Sequence, residues 1–123
     1  MDFRLPGIKL VEDFNVTTMI FSTWWFDEMP FKSAVGNQQS WAIMNRVNVL
    51  AANTHMRNSG SLGSGIYAGT HGAKVYTNNP DGKSRLLLAD IPINSRNKNA
   101  KCLNNASLRL NIKETNKFIL IQT

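Results

Sequence analysis

VTTMIF at residues 16–21 and NVLAA at residues 48–52 are the stretches that decide the fold of this 123-residue chain. Each run is short, mostly apolar and uncharged, as expected for a strand that is buried on both faces. Between them, residues 31–46 are predicted to form a helix that opens after Pro30. A strand, a helix and a strand in this order indicate two parallel strands joined by a crossover. The sequence therefore predicts an α/β fold.

Further elements are predicted on either side of this core. Pro6 occupies a position favoured at the start of a helix. The apolar stripe of that first helix consists of Ile8, Leu10, Val11 and Phe14. After Asn53 the pattern changes to glycine-rich turns between short strands, at residues 66–68, 74–76 and 85–91. These strands are predicted to form a β-meander that completes the sheet.

The net charge of +6 is distributed unevenly along the chain. Residues 1–92 carry a net charge of +1 and residues 93–123 carry +5. We therefore predict a domain over 1–92, followed by a basic linker over 93–123 with a terminal hairpin formed by residues 108–112 and 118–121. A basic end of this kind is usually a solvated segment, so no nucleic-acid partner is expected; salt-dependent nucleic-acid binding by the tail is the alternative.

Membrane-spanning, secretory and metal-binding signals are weak. No apolar run is long enough for a transmembrane helix, and charges stand where a signal peptide would have its apolar core. Cys102 is the single cysteine, so it forms no internal disulfide. Neither it nor His55 and His71 have the spacing of metal ligands. We expect no metal and no cofactor.

Three stretches follow one another in a distinctive order: FSTWW at residues 21–25, RVNVLAANTH at 46–55 and GSGIYA at 63–68. GAKVY at residues 72–76 and LLL at 86–88 extend the pattern. In this order and spacing they resemble the vanin and biotinidase group of the nitrilase superfamily, the carbon–nitrogen hydrolases. The resemblance implies an αββα sandwich, of which this chain would form half.

The resemblance also implies the hydrolysis of amide bonds such as those of pantetheine or biotinyl amides. In that group a Glu acts as general base, a Lys stabilises the oxyanion and a Cys attacks the carbonyl, since the thiolate is the nucleophile. The matched register places this Cys before Met1, and the Glu and Lys further upstream. Cys102 is far from that register and is not a substitute. We therefore expect no catalytic residue here, and predict the C-terminal part of a catalytic domain, inactive alone.

Part of the substrate cleft is implied at the segment that leaves the first strand, which holds Thr23, Trp24 and Trp25. Aromatic side chains at such strand ends often contact the apolar part of a ligand. The alternative is that one or both tryptophans belong to the core. His55 ends the second strand and is the fourth substrate-binding residue predicted, with a purely structural histidine as the alternative.

Two sequons, beginning at Asn15 and Asn105, match the acceptor pattern for N-glycosylation. They fit the extracellular or lipid-anchored location that the resemblance implies. Two functions stay open: a fragment of an amidase that acts on a small-molecule amide once completed, or a catalytically inactive binding or scaffold protein of the same family. The first predicts poor solubility, because an uncovered parallel strand edge promotes aggregation.

Overall fold

A computed structural model describes residues 4–28, 32–54, 59–96 and 115–122. Within these ranges the elements are α1 (Arg4–Phe14), β1 (Thr18–Thr23), α2 (Ala34–Asn45), β2 (Asn48–Asn53), β3 (Ser64–Ala68), β4 (Gly72–Thr77), β5 (Arg85–Pro92) and β6 (Thr115–Gln122). Strands β1 to β4 form one sheet in the order β1-β2-β3-β4, and β5 pairs with β6 in a two-stranded ribbon.

The strand pairing agrees with the sequence-based prediction for β1 to β4 and differs from it for β5. β1 and β2 are parallel, with Thr18 aligned to Asn48 and Thr23 aligned to Asn53. β2 with β3, and β3 with β4, are antiparallel, so the predicted meander is confirmed for residues 66–68 and 74–76. It is wrong for residues 85–91, because β5 does not join that sheet and pairs with β6 instead. The fold is a mixed α/β fold.

β2 is covered on both faces, which explains its uncharged sequence. The cluster on the helix side contains Val11, Trp41, Ala42, Val47, Val49, Ala51 and Tyr67. The cluster on the ribbon side contains Leu50, Ile66, Ala68, Leu87 and Ile91. Alternate residues of β2 therefore enter different clusters, as the two-residue period of a strand requires. Each fully buried valine, leucine or isoleucine side chain contributes about 1.5–3 kcal/mol.

Two element boundaries differ from the prediction. α2 begins at Ala34 rather than near residue 31, because Ser33 caps it: the Ser33 hydroxyl accepts a hydrogen bond from the Gly36 N–H at 3.0 Å. β1 begins at Thr18 rather than at residue 16, because Asn15 has a left-handed backbone (φ 53°) that separates α1 from the strand.

The predicted apolar stripe of α1 is partly wrong. Val11 is buried and Ile8 is half-buried, but Leu10 is exposed and Phe14 is 72% exposed. α1 contacts α2 along one narrow side, where Gly7 lies against the Trp41 ring. Within the described part of the chain, Leu10 and Phe14 are left largely uncovered.

The segment 93–123 contributes a strand to the fold. β6 pairs with β5 over eight residue pairs, from Arg85 with Gln122 to Pro92 with Thr115. Residues 118–121 of the predicted hairpin are thus part of β6, whereas residues 108–112 are outside the described ranges.

Candidate functional site

The carboxyl ends of the two parallel strands lie side by side. Thr23 ends β1 and is aligned with Asn53, which ends β2. The Thr54 N–H donates to the Thr23 carbonyl at 3.0 Å, so the pairing extends one residue beyond the strands. In open α/β sheets, ligands bind at the carboxyl ends of parallel strands. The segments 24–28 and 59–63 surround this end.

Asn53 joins these two segments and is 2% exposed. Its Oδ1 accepts the Trp25 N–H at 2.8 Å, and its Nδ2 donates to the Trp25 carbonyl at 3.0 Å. The same Nδ2 donates to the Leu62 carbonyl at 2.5 Å. One side-chain amide therefore fixes the backbone of both segments. We call these contacts the Asn53 junction.

Two buried serines support the Asn53 junction. The Ser64 hydroxyl accepts the backbone N–H of Asn53 at 2.9 Å. The Ser61 hydroxyl lies 2.5 Å from the Thr54 carbonyl and 3.4 Å from Asn53 Oδ1. Both serines are fully buried. Their hydrogen bonds matter because a buried polar group without a partner costs about 1–3 kcal/mol.

The side chains of Trp24 and Trp25 have different environments. Trp24 is 61% exposed, and its ring centroid lies 5.4 Å from that of Phe26, which is also exposed. Trp25 is half-buried, and its indole Nε1 is buried without a hydrogen-bond partner among the described residues. Trp24 and Phe26, here called the aromatic pair, are therefore the rings available to a ligand.

Asp27 attaches the segment after β1 to α2. Its carboxylate accepts the Ala34 N–H at 2.7 Å, at the helix end where a negative charge is favourable. Its backbone N–H donates to the Gly60 carbonyl at 2.9 Å. Beyond it, Glu28 and Lys32 exchange backbone hydrogen bonds of 3.0 and 2.9 Å. The aromatic pair is thus held between Asn53 and Asp27.

A buried tyrosine contributes to the same end of the sheet. Tyr67 donates its hydroxyl to Gln38 Oε1 at 2.8 Å, and Gln38 Nε2 lies 3.4 Å from the Gly63 carbonyl. Burial first, and then the negative potential of Tyr76 and Asp27, raise the pKa of Tyr67 well above its ordinary value. The hydroxyl is consequently a neutral donor that ties α2 to residues 61–63.

The amino end of β2 has a corresponding contact centre at Asn48, which is fully buried. Its Nδ2 donates to the Pro92 carbonyl at 2.7 Å and to Thr18 Oγ1 at 3.3 Å. Its Oδ1 accepts the Gly69 N–H at 3.1 Å. We call these contacts the Asn48 junction; it joins β2 to β1, β5 and the β3–β4 turn.

Ser95 and Arg96 close the amino end further. The Ser95 hydroxyl lies 2.7 Å from the Arg46 carbonyl and 3.0 Å from the Thr17 carbonyl. An open cavity of about 370 Å³ at this end is lined by Ile43, Arg46, Gly69, Thr70 and Arg96. It lies at the opposite end of β2 from Trp24 and Trp25.

Arg96 also contacts the first predicted glycosylation acceptor. One guanidinium nitrogen donates to the Val11 carbonyl at 2.9 Å, and the other donates to Asn15 Oδ1. Asn15 is exposed, and it follows the end of α1. The second acceptor, Asn105, is outside the described residues.

Thr23, Trp24 and Trp25 lie at the carboxyl end of β1; that they contact a substrate stays a prediction. His55 and Cys102 are outside the described residues, so their predicted roles are not located. Among the described residues there is no group of three His, Cys, Asp or Glu side chains that could hold a metal ion. The same residues include no helix long and apolar enough to cross a membrane.

Asn53, Ser61 and Phe26 were missed by the sequence analysis. A signal was available for Asn53, because NVLAAN places an asparagine at each end of a buried strand and a buried polar side chain requires partners. No local pattern indicated that Ser61 would lie beneath it, since the two are eight residues apart in the chain.

No protein-family model matches the chain. It is 45% identical over 74 residues to pantetheine hydrolase VNN2 of Homo sapiens, which covers 60% of this chain and 14% of that protein. It is 40% identical over 96 residues to vanin-like protein 3 of Drosophila melanogaster (76% and 18%) and 37% identical over 89 residues to the pantetheinase of Homo sapiens (72% and 17%). The chain is similar to the vanins. The matches span less than a fifth of each of these vanin relatives, and they support the predicted relationship to the nitrilase superfamily.

Proposed function

We propose that this chain is a portion of a vanin-type carbon–nitrogen hydrolase and that it forms part of the wall that binds the substrate amide. The observation that carries the proposal is the 45% identity over 74 residues to a pantetheine hydrolase. The proposed substrates are pantetheine and related amides. Biotinyl amides are a second proposed class.

The geometry of the carboxyl end supports a binding role. The aromatic pair offers two exposed ring faces at the position where α/β sheets bind ligands. Pantetheine carries alkyl groups on both sides of its amides, and aromatic faces suit such groups. Thr23, Trp24 and His55 are proposed to contact the substrate, with Trp25 placing Trp24.

The complete reaction adds water to an amide and releases a carboxylic acid and an amine. We propose that the Glu, Lys and Cys for this chemistry come from polypeptide other than these 123 residues. β1 offers a place for such polypeptide to pair, because it is an outer strand of the sheet and Ile20 on it is 75% exposed. The proposal places this chain in the C-terminal part of the catalytic domain.

Fusion to a relative tests the proposal. The segment that precedes the match in vanin-like protein 3 is joined to this chain, and release of amine from pantetheine is measured for the chain alone and for the fusion. We expect turnover by the fusion only. The fusion with Cys102→Ser is the control and should keep its rate. Turnover by the chain alone that disappears with Cys102→Ser would reverse the assignment.

Binding without turnover is the second candidate function. It is favoured by the aromatic pair, which is exposed within the chain as it stands. It predicts a stable chain that binds pantetheine calorimetrically and never hydrolyses it, even after fusion. Loss of pantetheine binding in Trp24→Ala, with the melting temperature unchanged, would support this function. Equal affinity of the unsubstituted chain and Trp24→Ala for pantetheine would contradict it.

An extracellular or lipid-anchored location is part of the same proposal. The exposure of Asn15 supports its use as a glycan acceptor, since the modifying enzyme must reach the side chain. Expression in a secretory host, followed by removal of N-glycans, should lower the apparent mass. If Asn15→Gln, before glycan removal, has the same apparent mass as the unsubstituted glycoprotein, Asn15 is excluded as the acceptor.

A further inference from the structure

The position of the aromatic pair depends on the backbone between its two members. Trp25 is the residue between Trp24 and Phe26, and both its N–H and its carbonyl are bound by the Asn53 side chain, at 2.8 and 3.0 Å. Because donor and acceptor of one residue are held together, Trp25 cannot rotate without breaking both hydrogen bonds.

The Asn53 side chain is fixed in turn from the opposite side. Its Nδ2 also donates to the Leu62 carbonyl, and it is 2% exposed above the buried Ser61. The side-chain amide has no freedom to follow a movement of Trp25 while these contacts last. The aromatic pair is therefore placed by a rigid buried group, although its own rings are exposed.

We infer that Asn53 is a positioning residue for ligand binding, which fixes Trp25 and thereby holds Trp24 and Phe26 as the surface that contacts the apolar part of an amide ligand. The nature of the ligand rests on the proposed function. The mechanical part, the control of Trp25 by Asn53, can be tested without a ligand.

Asn53→Asp keeps the shape of the side chain but replaces the Nδ2 donor with an oxygen that faces the carbonyls of Trp25 and Leu62. Asn48→Asp is the matched control, because Asn48 is equally buried at the other end of β2. We expect the Trp25 amide to exchange its hydrogen about tenfold faster in Asn53→Asp, relative to the amides of β3. Asn48→Asp should leave this ratio unchanged. Equal ratios in the two variants would overturn the inference.

Calorimetric titration with pantetheine then tests the consequence for binding. The dissociation constant should rise about tenfold in Asn53→Asp and stay within about twofold in Asn48→Asp. Failure of the unsubstituted chain to bind pantetheine would reject the proposed ligand, while the exchange ratios still decide the role of Asn53. Unchanged affinity in Asn53→Asp, with binding intact in the unsubstituted chain, would overturn the inference.

Ser61→Ala replaces Asn53→Asp if the latter does not fold. It removes the hydroxyl beneath Asn53 and leaves the side-chain amide in place. Exchange at Trp25 should again rise relative to β3, by less than in Asn53→Asp. An unchanged ratio in Ser61→Ala would overturn the inference.

Discussion

The two ends of β2 are built around the same residue type and have different surroundings. At the amino end, Asn48 binds β1, β5 and the β3–β4 turn. At the carboxyl end, Asn53 binds the segments that hold Trp25 and Leu62. The first asparagine joins regular elements of the fold, and the second positions loops.

The difference teaches how one buried strand can serve both stability and binding. The Asn48 junction is fully buried, and at the same end of β2 the Ser95 hydroxyl bonds the Thr17 and Arg46 carbonyls. The Asn53 junction is just as buried, but the rings of the aromatic pair beside it face solvent. A substitution at the amino end should therefore change stability, whereas one at the carboxyl end should also change what the surface can bind.

The largest expected effect is at the amino end, with Gly69→Ala. A Cβ at Gly69 would lie 2.4 Å from the Val47 nitrogen and 2.5 Å from the Arg46 carbonyl carbon, and backbone atoms cannot move aside cheaply. We expect the free energy of unfolding to fall by about 3 kcal/mol, measured by urea denaturation.

The matched substitution at the carboxyl end is Gly60→Ala. The nearest atom to its Cβ is the Asp27 carbonyl oxygen at 3.8 Å, so only the positive φ of 72° opposes alanine. A loss of about 1 kcal/mol is expected. Equal losses at the two glycines would mean that the amino end is no more tightly packed than the carboxyl end.

An intermediate effect is expected for Tyr67→Phe, which removes the hydroxyl donor to Gln38. The free energy of unfolding should fall by about 1–2 kcal/mol at neutral pH. The unsubstituted chain should also lose stability as the pH rises past 10, because the pKa of Tyr67 is higher in the folded chain than in the unfolded chain. Tyr67→Phe should lack this part of the alkaline loss.

Urea denaturation of both proteins from neutral to alkaline pH measures this difference. The other titrating groups are common to the two proteins, so the difference between their curves isolates Tyr67. Parallel curves across the whole range would show that folding does not raise the pKa of Tyr67.

The smallest effect is expected at His71, in the exposed turn at the amino end. Partial burial first, and the positive charge of Lys74 second, lower the pKa of His71. Because His71 binds a proton more readily in the unfolded chain, the free energy of unfolding should fall as the pH drops through the ordinary pKa range of histidine. Lys74→Ala should raise the pKa of His71 in an NMR titration, and Lys9→Ala should leave it unchanged. A rise of the His71 pKa in Lys9→Ala but not in Lys74→Ala would show that Lys74 is not the repelling charge.

The sequence contained enough information for the core and much less for the site. The order strand, helix, strand predicted the parallel pair of β1 and β2. The run 48–52 is a buried strand, because burial on both faces leaves a direct trace in composition. The same prediction for the run 16–21 was wrong, because β1 is an outer strand of the sheet and Ile20 on it is 75% exposed. The apolar residues of α1 were a weaker guide: Leu10 and Phe14 fit a helical period, but α1 lies against α2 along too narrow a contact to cover them.

For the candidate site, the sequence predicted the segment but not the hydrogen bonds that hold it, and the role of the segment in substrate binding stays a prediction. The segment with Thr23, Trp24 and Trp25 was singled out by family resemblance, and it does lie at the carboxyl end of β1. That the tilted rings of Trp24 and Phe26 lie together at the surface, while Trp25 is half-buried, depends on Asn53, whose partners are 28 and 9 residues away in the chain. Contacts of this range are not encoded in any local pattern.

The alternation of exposure from Trp24 to Phe26 has a consequence for how such a surface can change over generations. The Asn53 side chain makes the hydrogen bonds to the Trp25 backbone, so substitutions of Asn53 should lower stability. The side chains of Trp24 and Phe26 make none of these hydrogen bonds, so other side chains can replace them on the same backbone. Duplicated copies of this segment can therefore diverge in ligand preference while the fold beneath them stays the same.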